Sequence, residues 1–260
     1  MPTVTVLEKL YGSIIPATFE ERYSGLVRGL KVQMRFVGTT DRGWIQLDVS
    51  GDDQTVALSL LDREVGLAPV SLDGLEKFSV MQGKVIFSNK SKDNVRVDVG
   101  AVFSQTCDAV VSKNQLGAQL ADGKELSLQR LVELFCLYDN VPLQVKILEK
   151  AGENCKTVEA ALSEAQLSIF KSWVHSRFDR LIILGSLMSD VERAVKLSRH
   201  SRDIIKTESL GTLEQVVLCK LGTDAVGLIP KLGRYLKSGV LVPFSPKKIL
   251  EAVGSQTFDY

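Results

Sequence analysis

Gly83-Lys84-Val85-Ile86-Phe87, Val95-Arg96-Val97-Asp98-Val99-Gly100 and Asp108-Ala109-Val110-Val111-Ser112-Lys113-Asn114-Gln115-Leu116 are three closely spaced runs rich in valine and isoleucine. Their β-branched content and period-two alternation read as strands, with the polar stretch Ser88 to Asn94 as the first connection. Downstream, Ser127 to Phe135 has the spacing of a short helix, although Ser127 and Arg130 do not complete a capping box. Val141 to Leu148 supplies a fourth strand and Lys156 to Leu162 a weaker fifth.

Five short strands with a helix between the third and fourth is the order of an oligonucleotide-binding (OB) barrel, a fold that presents strands and loops to single-stranded nucleic acid. The fold class expected is therefore α+β, with a central OB-type barrel at 76–163. On its N-terminal side, Thr3 to Leu7 alternates as a strand and the pattern turns helical from Pro16. Strands follow at Val32 to Val37 and Trp44 to Val49, and Asp52-Asp53 precede a helix that Gly66 and Pro69 stop. This makes a small α+β unit at 1–70, and Ala68 to Leu75 reads as a linker.

From 164 to 260 helices and strands alternate, predicting a C-terminal α/β unit. Helix is expected to about Trp173, strand at Arg180 to Leu184, helix from Ser189 to about Lys206 opened by a Ser189/Glu192 capping box, and strand at Glu214 to Cys219. A glycine-rich turn and helix lead to Leu236, with strand Val240 to Phe244 and helix Lys247 to Ala252 last. The run Asp108-Ala109-Val110 with Leu116-Gly117 is echoed by Asp224-Ala225-Val226 with Leu232-Gly233, a faint hint of duplication.

Composition bounds the function. The chain has 260 residues, 45% of them hydrophobic and 24% charged, as in ordinary globular proteins. No apolar run approaches the roughly 20 residues of a membrane span, and the N-terminus lacks the order of a signal peptide, so a cytoplasmic protein with no membrane partner is expected. Cys107, Cys136, Cys155 and Cys219 are far apart, and His175 and His200 lie near basic residues, so no metal site or cofactor is expected. Net charge is +1, yet from Lys171 onward 14 basic residues face 9 acidic ones, while the preceding 170 residues hold 18 and 22. The C-terminal third carries the positive field.

Two groups of residues are candidate nucleic-acid ligands. On the barrel these are Lys84, Phe87, Lys90, Lys92, Arg96, Phe103, Lys113 and Asn114, because aromatic and guanidinium planes stack on bases while Lys and Asn meet phosphates or base edges. Alternation points Arg96 away from Val95, Val97 and Val99; the plainer alternative makes Phe87 and Phe103 barrel core. The second group, Arg193, Lys196, Arg199, Arg202 and Lys206, recurs at spacings of three or four, which on a helix forms one cationic stripe suited to RNA phosphate or to an acidic protein surface. The segment from Leu221 to Gly233 follows a strand but fits no phosphate-loop pattern, leaving Lys220, Lys231 and Arg234 as its only phosphate candidates. No nucleophile, acid pair or histidine motif suggests a catalytic centre.

The barrel segment resembles the RNA-binding repeat of ribosomal protein S-one in Gly83 with Val85, Val97-Asp98-Val99-Gly100, and Val110-Val111 through Leu116. It departs from that repeat where Arg96 replaces an aromatic and Ser112 a histidine or proline. Four later segments make the whole chain similar to a conserved archaeal family of unknown function. They are Gln119 to Lys124, Leu137 to Leu143, Cys219 to Ala225 through Ile229 to Gly233, and Pro243 to Lys248. That family resemblance implies an archaeal, cytoplasmic context and no site residues. Barrel and cationic residues together lead to the expectation of a non-enzymatic RNA-binding protein associated with translation or transcription, with RNA or ribosome and polymerase components as partners. The rivals are a protein-interaction adaptor on an acidic partner and a nucleotide-processing enzyme.

Overall fold

A computed structural model describes residues 3–11, 16–69, 76–86, 93–102, 106–149, 156–236 and 239–254. At its centre the strands β4 (Val80–Ile86), β5 (Asn94–Val102), β6 (Thr106–Ser112), β7 (Pro142–Ile147) and β8 (Thr157–Leu162) close into a barrel in the order β4-β5-β6-β8-β7. Only β6 and β8 run parallel; β7 closes on β4 antiparallel. Numbered within the barrel this is 1-2-3-5-4, the Greek key of the OB fold expected from the sequence. Val85, Val97, Val99, Ala109, Val111, Leu143 and Val145 are buried inside it.

Two helices, α3 (Lys113–Ala121) and α4 (Leu128–Phe135), join β6 to β7. The third strand is shorter than its apolar run predicts: Lys113 to Leu116 is helix. Ser112 keeps an extended backbone and its hydroxyl accepts from the Gln115 amide at 3.2 Å, so a strong N-cap ends the strand. Ser127 caps α4 in the same way through the Arg130 amide.

The N-terminal unit comprises β1 (Thr3–Lys9), α1 (Pro16–Leu26), β2 (Val32–Thr39), β3 (Trp44–Gly51) and α2 (Gln54–Glu64), with an antiparallel sheet ordered β1-β3-β2. Past α2 the chain returns beside β1, where Val6 bridges Leu67 and the Ala68 amide donates to Thr5 at 2.8 Å. This is a βαββαβ unit whose last strand has shrunk to one bridge. Phe19, Tyr23, Ile45, Leu47 and Leu61 form its core.

After α5 (Glu164–His175), the C-terminal unit repeats that topology in full: β9 (Arg180–Leu184), α6 (Met188–Leu197), β10 (Ile204–Ser209), β11 (Glu214–Cys219), α7 (Ala225–Gly233) and β12 (Val240–Phe244), then α8 (Pro246–Val253). Its sheet, β10-β11-β9-β12, is antiparallel throughout. The helix expected over Ser189 to Lys206 ends at Leu197. Arg199 turns the chain at φ 63°, Ser201–Asp203 form a 3₁₀ turn, and Ile204 begins an edge strand. Pairing of a β-branched run with β11 overrides the helical charge spacing. The predicted Ser189/Glu192 box is absent because the N-cap position falls on Leu187.

Helices α6 and α7 cover one sheet face through Leu181, Ile183, Val217 and Leu228. The opposite face, with Ile182, Leu184, Val216 and Phe244, joins the same apolar core as the barrel, by way of Phe135, Phe170 and Val253. Phe170 and Phe244 stack with centroids 6.5 Å apart, and Trp173 meets Phe244 edge-on at 5.1 Å. The sheet is thus covered on both sides. The sequence echo separates into unlike settings: Asp108 lies within β6, whereas Asp224 caps α7.

Gly83 permits the tight approach of β4 to β5. A Cβ there would stand 2.5 Å from the Asp98 carbonyl oxygen and 2.8 Å from Val97 Cγ1. Gly83→Ala is expected to destabilise the protein by about 1–3 kcal/mol through overpacking. Urea unfolding checks this, and an unchanged midpoint would contradict the close approach.

Candidate nucleic-acid interface

Strand alternation turns two rows of barrel residues outward. Lys84 lies opposite Asp98, and Asp98 opposite Asp108; one step on, Ile86, Arg96, Val110 and Glu159 follow in the same register. The two rows have opposite fates. Lys84, Asp98 and Asp108 are buried beneath neighbouring units, whereas Arg96 and Glu159 are exposed.

Burial of the first row is achieved by pairing, as isolated charges are not tolerated there. Lys9 at the end of β1 meets Asp98 at 2.7 Å and sits over the Trp44 ring at 4.5 Å. Arg42, in the turn between β2 and β3, binds Asp108 and reaches Thr106 at 3.2 Å. Lys84 pairs at 2.6 Å with Glu214, which is fully buried at the start of β11 and also accepts from the Tyr11 hydroxyl at 2.5 Å. Nearby, Glu8 accepts from Tyr23 at 2.5 Å and from Thr212. Three parts of the chain therefore meet on one charged seam.

The seam's protonation states follow from its environment. Burial, reinforced by Glu214, raises Tyr11, and burial with Glu8 raises Tyr23, so both phenols stay protonated and donate. Burial pushes Lys9 below its ordinary range while Asp98 opposes the shift. For Arg42, burial works against the charge, but Asp108 and Asp98 outweigh it and hold the guanidinium above its usual value.

This geometry corrects the placement of Lys84: at 4% exposure it is committed to Glu214 and does not face solvent. Arg96 points outward as expected. Lys113, half-buried, and Asn114, exposed, open α3; the Lys113 amide donates to the Asp93 carbonyl at 2.7 Å, and Asn94 pairs with Ser112. Arg96, Lys113 and Asn114 thus gather where β5 begins and β6 ends. Phe87, Lys90, Lys92 and Phe103 lie outside the described residues.

The second group is dispersed over three kinds of backbone and forms no single helical stripe. Arg193 and Lys196 stand on α6, Arg199 and Arg202 in the turn that follows, and Lys206 on edge strand β10; all five are exposed. Arg193 bonds Asp190 at 2.6 Å and Lys206 bonds Glu208 at 2.5 Å. Among the described residues, Lys196, Arg199 and Arg202 have no ion-pair partner.

Elsewhere the chemistry is quieter. At the start of α7 the Val226 amide donates to Asp224 and the Ala225 amide to Asp179, so carboxylates already occupy the place where a phosphate would bind. Burial above all pushes the Cys219 thiol up to about 12, and burial raises Cys136 as well; neither is a ready nucleophile. No group of His, Cys, Asp or Glu suited to a metal occurs among the described residues, and no described helix is long and apolar enough to cross a membrane.

The sequence reading missed Glu8, Lys9, Tyr11, Arg42 and Glu214. A signal existed: Lys9, Asp98, Asp108 and Glu214 are charges set inside or at the ends of strands rich in apolar residues, which requires partners of opposite sign.

Similarity to known proteins falls on the C-terminal sheet. Residues 178–243 match the uncharacterised family described as the DUF2110 C-terminal domain, a span running from just before β9 nearly to the end of β12. No curated protein matches the chain.

Lys84→Met strands the Glu214 carboxylate in the seam and is expected to cost about 3–5 kcal/mol in chemical denaturation, whereas Lys84→Met with Glu214→Leu recovers most of that stability. A single variant as stable as the parent would contradict the pairing.

Proposed function

We propose that this protein binds single-stranded RNA without transforming it, using exposed cations left over once the barrel's own charged row has been neutralised. The observation that carries the reading is this segregation. Lys9, Arg42 and Lys84 each have a carboxylate within the seam. Arg96, Lys196, Arg199 and Arg202 are exposed and, among the described residues, unpaired. Exposed cations without internal counter-charges release condensed counterions when phosphate replaces solvent, which drives binding. The setting we propose, cytoplasmic and linked to translation or transcription, is supported by the resemblance of Gly83 to Leu116 to the S-one repeat, and an archaeal origin by the segments of the latter half.

A second reading, an adaptor docking on an acidic protein, is favoured by one observation. The β5–β6 side of the barrel, where OB folds commonly hold a strand of nucleic acid, is partly occupied by the chain's own β1 and the Arg42 turn. Nuclease treatment during pull-down separates the readings, since an adaptor keeps its partner after RNA is digested.

Filter binding of a single-stranded RNA between about 50 and 200 mM salt is expected to give a falling log–log line. Replacing Lys196, Arg199 and Arg202 by Gln should flatten its slope by about 0.7 for each phosphate that is no longer neutralised. Absence of binding at low salt, or affinity independent of salt, would overturn the proposal.

A further inference from the structure

We infer that Phe78, Lys77 and Lys146 form a nucleotide-stacking subsite at the end of the barrel opposite α3 and α4; the inference rests on the RNA reading and extends it to a site that the sequence did not disclose. Phe78 is 60% exposed, against 40% for Tyr235. The Lys77 ammonium lies 5.1 Å from its ring centroid and the Lys146 ammonium 5.4 Å. A largely exposed ring with two ammonium groups over it matches one unit of single-stranded RNA, the base taking the ammonium groups' place on the ring while they turn to the adjoining phosphates.

The backbone that carries the ring is also held in place. Phe78 has φ 70°, a left-handed conformation that a bulky side chain adopts only under strain. Hydrogen bonds impose it: the Phe78 amide donates to Ile147 at 2.8 Å, the Ser79 amide and hydroxyl donate to the Glu76 carbonyl at 3.0 and 2.7 Å, and Ile147 donates back to Ser79 at 2.9 Å. Lys146 lies directly opposite Val80 in the β4–β7 ladder, so the cation is carried on barrel backbone and not on a free loop. Glycine would suit this backbone better. A strained, solvent-facing phenylalanine with no core to fill is explained by a ligand that stacks on it.

The test uses single-stranded RNA carrying 2-aminopurine, whose fluorescence is quenched when it stacks on an aromatic ring. The parent protein is expected to bind with quenching. Phe78→Leu should abolish the quenching and weaken binding roughly ten-fold, Phe78→Trp should restore both, and Lys77→Gln with Lys146→Gln should weaken binding while reducing its salt slope. Phe78→Gly should raise the melting temperature as binding falls, which separates a binding role from a folding role. Salt-dependent RNA binding by the parent with unchanged affinity and quenching in Phe78→Leu would overturn the subsite and leave the RNA reading standing. No binding by the parent would overturn both.

Discussion

Pairing of the outward barrel row Lys84, Asp98 and Asp108 with Glu214, Lys9 and Arg42 is the constraint on which the arrangement of this molecule depends. An OB barrel ordinarily leaves that surface to water or to a ligand. Here three charged side chains on adjacent strands are buried, so each demands an oppositely charged group from another part of the chain. The demand fixes β1 and the Arg42 turn over β5 and β6, and brings the start of β11 against β4. Apolar contact assists at the same place, where Gly100 lies close to Leu7, Ala68 and Trp44. Charge sets the register of the seam, and the surrounding apolar contact excludes water.

Around that seam the same supersecondary pattern occurs twice. The C-terminal βαββαβ unit has all four strands, and the N-terminal one retains its fourth as the single bridge between Val6 and Leu67. Their free surfaces differ. The C-terminal sheet is sandwiched between α6 and α7 on one side and the barrel's extended core on the other, so the outer side of α6, the turn after it and edge strand β10 carry the exposed cations Arg193 to Lys206. In the N-terminal sheet the face away from the helices carries Thr3, Thr5, Gln33, Arg35, Gln46 and Asp48, and its aromatic residue, Trp44, is buried at the seam beneath Lys9. Of the candidate cations, Arg96 at one end of the barrel and Lys196, Arg199 and Arg202 around the end of α6 thereby remain exposed.

The fold was legible where periodicity and local chemistry agree. The valine-rich runs announced the barrel, and β9, β11 and β12 begin and end where alternation places them. Errors arose where a short-range signal competed with a tertiary one. Lys113 to Leu116 looks like a continued strand until Ser112 is recognised as an N-cap, and the cations from Arg193 to Lys206 suit a helix until β11 offers Ile204 to Ser209 a partner. The site was less legible than the fold. Period two shows that Lys84 and Arg96 both point out of the barrel, but nothing local distinguishes the one that meets Glu214, 130 residues away, from the one that meets solvent. Phe78 escaped notice because its exposure follows from backbone hydrogen bonds to Ile147, which the sequence does not display.

Backbone hydrogen exchange with and without single-stranded RNA tests most directly the claim that the seam closes one part of the barrel surface and leaves the rest accessible. The account predicts that amides from Asp98 to Val99 and at Asp108 are already slow in the free protein and unchanged by RNA, while added protection appears at Asn94 to Arg96 and Ser112 to Asn114. New protection spreading over Asp98 and Asp108, together with faster exchange in β1 from Thr5 to Lys9, would show that RNA displaces the N-terminal unit and would contradict it.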